Sequence, residues 1–118
     1  MELKFVPNTK PGPASLAVQR RQRLVRRIDQ QIAYCGGMRQ GQTPRAAWVW
    51  MDDAGAYFVP IRYSKQPLEL KKGMFAVRCK DLGECESALT TIRAMVLAGD
   101  FDDQLAKAAG EIRKRFGG

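Results

Sequence analysis

Apolar residues recur at helical spacing near the start of the chain, and this pattern predicts the first secondary-structure element. Leu24, Ile28 and Ile32 follow one another at intervals of four residues, which places them on one face of a helix. Mostly polar residues fill the other faces, and Gly36-Gly37 follows the stretch as a candidate C-terminal stop. The pattern therefore predicts a basic helix over residues 15–35.

The middle of the chain, residues 46–80, predicts a small antiparallel sheet. Aromatic and β-branched residues gather there in short segments, and turn-forming residues separate the segments about every eight residues. Pro60 lies within the second segment, where it cannot donate a ladder hydrogen bond, so an edge position or a bulge is expected. A meander of four antiparallel strands fits this spacing, and its segments read AAWVWM, YFVPIRY, LEL and MFAVRC.

The two ends of the chain complete the predicted fold. After the sheet, apolar residues at helical spacing predict a C-terminal helix or helix pair over residues 84–116, interrupted at Gly99. Residues 1–14 contain three prolines, which favour an extended arm over a helix. We therefore predict this proline-rich arm and one α+β domain over residues 15–118, with the C-terminal helices packed on one face of the sheet.

The charge distribution points to an anionic partner. The chain carries 20 Lys and Arg residues against 12 Asp and Glu residues, for a formal charge of +8. Residues 1–47 hold nine of the basic residues and two of the acidic ones, whereas residues 81–118 hold five and seven. A basic half joined to a mildly acidic half is typical of an electrostatic docking surface.

Composition excludes or disfavours several kinds of chemistry. The chain has no His, so it cannot build a His-based catalytic triad or a His-containing zinc site. Cys35, Cys79 and Cys85 form no CxxC pair, which indicates reduced thiols in a cytoplasmic protein. No run approaches the ~18 apolar residues of a membrane span, so no membrane association is expected. Asp52-Asp53 and the aspartates near residue 100 fit a turn and a helix cap, and we expect no catalytic residue, metal or cofactor.

Arginines on the first helix are the strongest candidate binding residues. The forked guanidinium group suits phosphate, and it suits carboxylate equally well. Contact with a nucleic-acid backbone is therefore one interpretation, and an acidic protein surface or a solvated helix face are the others. The five residues are Arg20, Arg21, Arg23, Arg26 and Arg27.

Aromatic side chains beside cations on the predicted sheet suggest a second contact surface. Such an arrangement is the usual platform for stacking unpaired bases. The alternative for the two tryptophans is a place in the core or in a dimer interface. The candidate stacking residues are Trp48, Trp50 and Phe58, and the residues that would extend the basic surface are Arg62, Lys71, Lys72 and Arg78.

Three segments give the chain a resemblance to a small phage and prophage protein family of uncharacterised role. They read KFVPNTKPGPASLAVQRRQRLVRR from Lys4, YSKQPLELKKG from Tyr63, and AGDFD from Ala98. The resemblance implies a phage-related origin and brings no site residues with it. Four short strands followed by a helix are also similar, in topology only, to the single-stranded-DNA-binding coactivator and Pur-type modules, although fold alone does not establish function.

These observations together predict a non-enzymatic nucleic-acid-binding protein, encoded by a phage or prophage, that prefers single-stranded DNA or RNA over duplex. The alternative is a phage-encoded adaptor or inhibitor whose arginines meet an acidic host protein. A small metal-dependent nuclease is a third hypothesis. One sheet face and the sheet edges stay open in this fold, so a homodimer is also expected.

Overall fold

The computed structural model describes residues 2–5 and 15–116, and within them it confirms the α+β class. Most of the predicted proline-rich arm, residues 6–14, lies outside the described residues. The C-terminal region is a helix pair rather than one helix. The elements in chain order are α1 (Ser15–Arg39), β1 (Trp50–Met51), β2 (Tyr57–Pro60), β3 (Arg62–Tyr63), β4 (Gln66–Pro67), β5 (Ala76–Cys79), α2 (Leu82–Leu97) and α3 (Asp102–Phe116).

Helix α1 is longer than its sequence predicts. The expected stop at Gly36-Gly37 is wrong, because the helix continues through both glycines and ends at Arg39. The left-handed residue that ends it is Gly41, with φ +88°, and the next N–H, from Gln42, donates to the carbonyl of Gly37 across 3.0 Å. A Cβ on Gly37 would lie 2.5 Å from the side-chain oxygen of Gln42, so that glycine permits a close approach rather than a turn.

The strands form two separate antiparallel units in place of the predicted four-stranded meander. One is a three-stranded sheet in the order β1-β2-β5, and the other is the two-stranded ribbon β3-β4. The division falls at Ile61, directly after Pro60, where the chain leaves its pairing with β5. There the Ile61 carbonyl accepts a hydrogen bond of 2.7 Å from the N–H of Leu68. The segment from Leu68 to Leu70, predicted as a strand, is therefore a loop.

The sheet has one face packed on helix α2 and one open face. Val59 and Cys79 point to the packed face and are buried, whereas their neighbours in each strand are more exposed. Helix α2 begins after Asp81, whose carboxylate accepts from the N–H of Glu84 at 2.8 Å as an N-cap. Four side chains at helical spacing make its buried stripe, namely Cys85, Leu89, Ile92 and Val96.

Helix α1 lies across α2 and α3, so the three helices share one core with the sheet. Its buried stripe consists of Leu24, Ile28, Gln31 and Cys35, at helical spacing. Two exposed ion pairs link α1 to α2, one between Arg39 and Glu86 and one between Asp29 and Arg93. This packing leaves the remaining faces of α1, with most of its arginines, exposed.

Candidate nucleic-acid interface

The arginines of α1 divide into two groups according to what they face. Arg21 reaches helix α3, where its Nε lies 2.9 Å from one carboxylate oxygen of Asp102 and its terminal nitrogen bonds the other. This hydrogen-bonded pair lowers the pKa of Asp102 and raises that of Arg21. The charge of Arg20 also acts on Asp102. Arg21 therefore joins α1 to α3 and is engaged within the protein.

A glycine makes room for this ion pair. Gly99 ends α2 with φ +90°, a left-handed conformation that favours glycine. A Cβ at this position would lie 2.9 Å from the terminal nitrogen of Arg21 and 3.1 Å from a carboxylate oxygen of Asp102. The turn between α2 and α3 is thus shaped both by backbone conformation and by the guanidinium packed over it.

The second group of α1 arginines lines an open groove of about 610 Å³, which we call the arginine groove. Arg23, Arg26 and Arg27 form one wall and are exposed. Arg26 and Arg27 follow Arg23 at three and four residues, so both lie one turn along from it on the same side of the helix. Tyr63 and Ser64, from the β3-β4 ribbon, form the opposite wall.

A second groove of about 430 Å³ adjoins the first, and we call it the tryptophan groove. It shares Arg27 and Ser64 with the arginine groove, so the two form one continuous track. The residues that give it charge and an aromatic surface are Arg27, Arg45, Trp48, Arg62 and Lys65. Together the two grooves gather five arginines and one lysine around a half-buried indole.

No Asp or Glu of the described part of the chain lines this track to offset its positive charge. The ion pairs of the described residues use Arg21, Arg39 and Arg93, none of which lines either groove. Since surface cations usually have acidic neighbours in a mixed-charge protein, such a concentration creates a strong local positive potential.

One buried glutamine holds the two walls of the tryptophan groove together. Gln31 is 2% exposed, and its Nε2 donates to the carbonyl of Ala46 across 3.0 Å. Its Oε1 accepts from the N–H of Trp48 at 2.7 Å. Both ends of the amide are satisfied, so the loop that carries Arg45 and Trp48 is fixed to α1. The sequence signal for this role is a polar residue at a core position of the α1 stripe.

The β3-β4 ribbon presents an unusual turn to the track. Ser64 and Lys65 have φ of +52° and +67°, a left-handed pair of the kind that a two-residue type I′ hairpin requires. Neither is Gly or Asn, the residues that adopt this conformation at low cost. The guanidinium of Arg62 donates to the carbonyl of Lys65 across 3.1 Å and helps to hold the turn. Both turn residues line the tryptophan groove.

An aromatic row crosses the open face of the sheet. Trp50 and Phe58 are cross-strand partners, and their rings stack with centroids 4.4 Å apart at 16°. Arg78 is the partner of Phe58 on its other side, so the three side chains share one face. Trp50 is 52% exposed and Phe58 is half-buried beneath it. Trp50 is therefore the solvent-exposed ring of this row, and Phe58 packs beneath it.

The structure places the sequence-predicted residues in four locations. The track unites five of them, the sheet row holds three, and Arg20 and Arg21 lie toward Asp102. Lys71 and Lys72 lie on a separate turn closed by Gly73 at φ +75°, and Lys71 borders an apolar groove rather than the track. The five in the track are Arg23, Arg26, Arg27, Trp48 and Arg62, and the track residues missing from the prediction are Gln30, Arg45, Ala46, Ala47, Tyr63, Ser64 and Lys65.

None of the three cysteine thiols provides a reactive nucleophile at this site. Cys35, Cys79 and Cys85 are free and buried where α1, β5 and α2 meet. Burial raises the pKa of Cys35 to about 11 and that of Cys85 to about 12, and it also raises the pKa of Cys79. Over the described residues, no three Cys, Asp or Glu side chains are placed to hold a metal ion.

Comparison with protein-family models, curated proteins and solved structures finds no match to this chain. None of the described helices has both the length and the apolar character needed to cross a membrane.

Proposed function

We propose that this protein binds single-stranded nucleic acid along the track formed by the arginine and tryptophan grooves. The observation that carries the proposal is the gathering of six cations in two adjoining grooves that have no described acidic lining residue. Guanidinium groups bind phosphate in a forked geometry, and binding releases the counterions condensed on the strand. The track thus offers a polyanion a continuous binding surface.

The aromatic residues favour a single strand over a duplex. Trp48 lies in the wall of the tryptophan groove, beside Arg27 and Arg62. Trp50 follows two residues later, so the sheet row begins within about 7 Å of backbone from that wall. Unpaired bases can stack on exposed indoles, at roughly 1–3 kcal/mol per base, whereas the bases of a duplex are already stacked on each other. In this proposal Phe58 orients Trp50, and binding involves no chemical step.

A titration of labelled oligonucleotides tests the proposal. We expect single strands to bind more tightly than duplexes of equal length, with quenching of tryptophan fluorescence. For Arg27→Gln/Arg62→Gln, affinity at low salt should fall about a hundredfold or more, since two charged hydrogen bonds of ~1.5–3 kcal/mol each are lost. The slope of log K against log salt should also flatten by about 1.4, because two phosphate contacts are lost.

The matched control is Lys80→Gln/Lys107→Gln, which removes the same charge from exposed residues outside both grooves. An equal loss in the control would show that net charge alone drives binding and would overturn the role of the track. Failure of the wild-type protein to bind any oligonucleotide at low salt would overturn the proposed function.

An acidic protein is a second candidate partner, favoured by the apolar residues beside the cations. Trp50 and Met51 are 52% and 58% exposed, and protein interfaces are enriched in aromatic residues, Met and Arg. In this reading the chain is an adaptor or inhibitor, and phage origin and a homodimer remain predictions. Polyglutamate of matched charge distinguishes the two partners, because tighter binding to it than to an oligonucleotide would favour the protein.

We propose the cytoplasm as the compartment, since the three thiols are free.

A further inference from the structure

The two grooves of the track differ in what surrounds their cations. The tryptophan groove places Trp48 beside its charges, so it can hold a phosphate together with a stacked base. The arginine groove has three guanidinium groups but no comparable aromatic surface, because its Tyr63 is only 7% exposed. One end of the track therefore concentrates positive charge without an exposed aromatic ring beside it.

A phosphate monoester at the end of a strand has the chemistry that this groove fits. It carries about −1.5 to −2 charges at pH 7, whereas a phosphodiester within the strand carries one. It also extends beyond the last sugar, so it needs no stacking surface of its own. We propose that the arginine groove binds the terminal phosphate of a single strand, and that the strand then runs past Arg27 into the tryptophan groove.

The composition of the groove supports this assignment. Arg23, Arg26 and Arg27 lie on the same side of the helix, and within the described residues no carboxylate lines the groove to offset their mutual repulsion. A doubly charged group relieves that repulsion more than a singly charged one. Gln30 and Ser64 add neutral hydrogen-bonding groups to the lining. The groove is therefore built for more negative charge than one phosphodiester supplies.

The inference rests on the proposed function, and end-modified oligonucleotides separate the two. The probes are oligothymidylates of one length, labelled at the opposite end, that carry a 5′-phosphate, a 3′-phosphate or hydroxyls only. We expect a phosphate at one end to tighten binding about tenfold, the effect of roughly one added charged contact. In Arg23→Gln/Arg26→Gln this preference should disappear, while binding through the tryptophan groove persists.

Two comparisons complete the test. Lys80→Gln/Lys107→Gln should keep the preference for the phosphorylated end, because both lysines lie outside the groove. Inorganic phosphate and thymidine monophosphate should compete far more weakly than the phosphorylated oligonucleotide, because they miss the contacts made by the rest of the strand.

Equal affinity for all three oligonucleotides would overturn the terminal-phosphate inference and leave the proposed function standing. Competition by thymidine monophosphate at the same concentration as the phosphorylated strand would also overturn it, because the ligand would then be a free phosphate ester. Absence of binding to every oligonucleotide would overturn both proposals.

Discussion

Arg21 and Arg23 show how neighbouring cations on one helix come to have different roles. Arg21 and Arg23 are separated by about 200° around the helix axis, since α-helices have 3.6 residues per turn. Arg21 faces α3 and pairs with Asp102, and Arg23 faces the β3-β4 ribbon across the arginine groove. The sequence predicts both as phosphate-binding residues because the partner of Arg21 lies 81 positions away. Only the packing of α3 identifies which arginine is free to bind.

The ion pair between Arg21 and Asp102 makes stability depend on pH in a defined direction. The pKa of Asp102 is lowered in the folded protein, so the pair stabilises the fold above the ordinary carboxylate pKa of about 3.9. This stabilisation is lost as the pH falls through the lowered value. Thermal unfolding of Asp102→Asn should therefore occur at a lower temperature than that of the wild type at pH 7, with a gap that closes in acid.

Asp100→Asn is the matched control for this comparison. Asp100 is exposed and no ion pair of the described residues uses it, so its substitution should leave the unfolding temperature at pH 7 close to that of the wild type. A gap for Asp102→Asn that stays constant from pH 7 to acid would contradict the pairing. Such a result would assign the loss to packing instead.

Elements of regular helix could be predicted from the sequence, whereas strand partners could not. Leu24 and Ile28 fix the face of α1 by local spacing, and the interruption at Gly99 is confirmed as the end of α2. Strand pairing depends on distant residues, so nothing local to Pro60 reveals that the chain changes partners after it. The predicted strand MFAVRC is likewise shorter in the structure, where β5 begins at Ala76 and Phe75 is 45% exposed.

The candidate site was predicted in part for the same reason. Clustered arginines on one helix are visible in the sequence, and three of the five line the track. Arg45 and Lys65 stand alone in loops, and only the fixed positions of those loops bring them to the groove. Basic residues on separate loops share no sequence pattern, so only the folded structure reveals the tryptophan groove.

A substitution in the turn of the β3-β4 ribbon should change stability and binding affinity in opposite directions. Replacing Ser64-Lys65 by Asn-Gly supplies the residues that a type I′ turn prefers, and should stabilise the protein by up to about 1 kcal/mol. The same change removes a cation from the tryptophan groove, so affinity for single strands should fall severalfold. Chemical denaturation and the oligonucleotide titration measure the two effects.

Lys65→Gln separates strain from charge in this turn. It removes the cation but leaves a non-glycine residue at φ +67°, so affinity should fall without any gain in stability. If the Asn-Gly variant proves less stable than the wild type, the turn is not strained. If it binds as tightly as the wild type, Lys65 does not contact the strand.

The three cysteines lie where α1, β5 and α2 pack together, and their reactivity reports on whether the core is intact. Cys35, Cys79 and Cys85 belong to three different elements and are all buried. Their raised pKa values keep them as thiols at pH 8, so an aromatic disulfide reagent should label none of them rapidly in the folded protein. In guanidinium chloride the same reagent should label all three. Rapid labelling of one thiol in the folded protein would contradict the packing of that element.

The two hydrogen bonds that Gln31 makes to the loop of Trp48 have a consequence for the rate of binding. Because its amide fixes the loop of Trp48 to α1, the proposed function implies a track that is already assembled before a nucleic-acid strand arrives, with no rearrangement needed before binding. Encounter is then governed by long-range attraction between the track and the polyanion, with association faster than the ~10⁵–10⁶ M⁻¹s⁻¹ typical of neutral partners. Added salt would slow arrival more than it would hasten departure, since screening acts over the distance of approach.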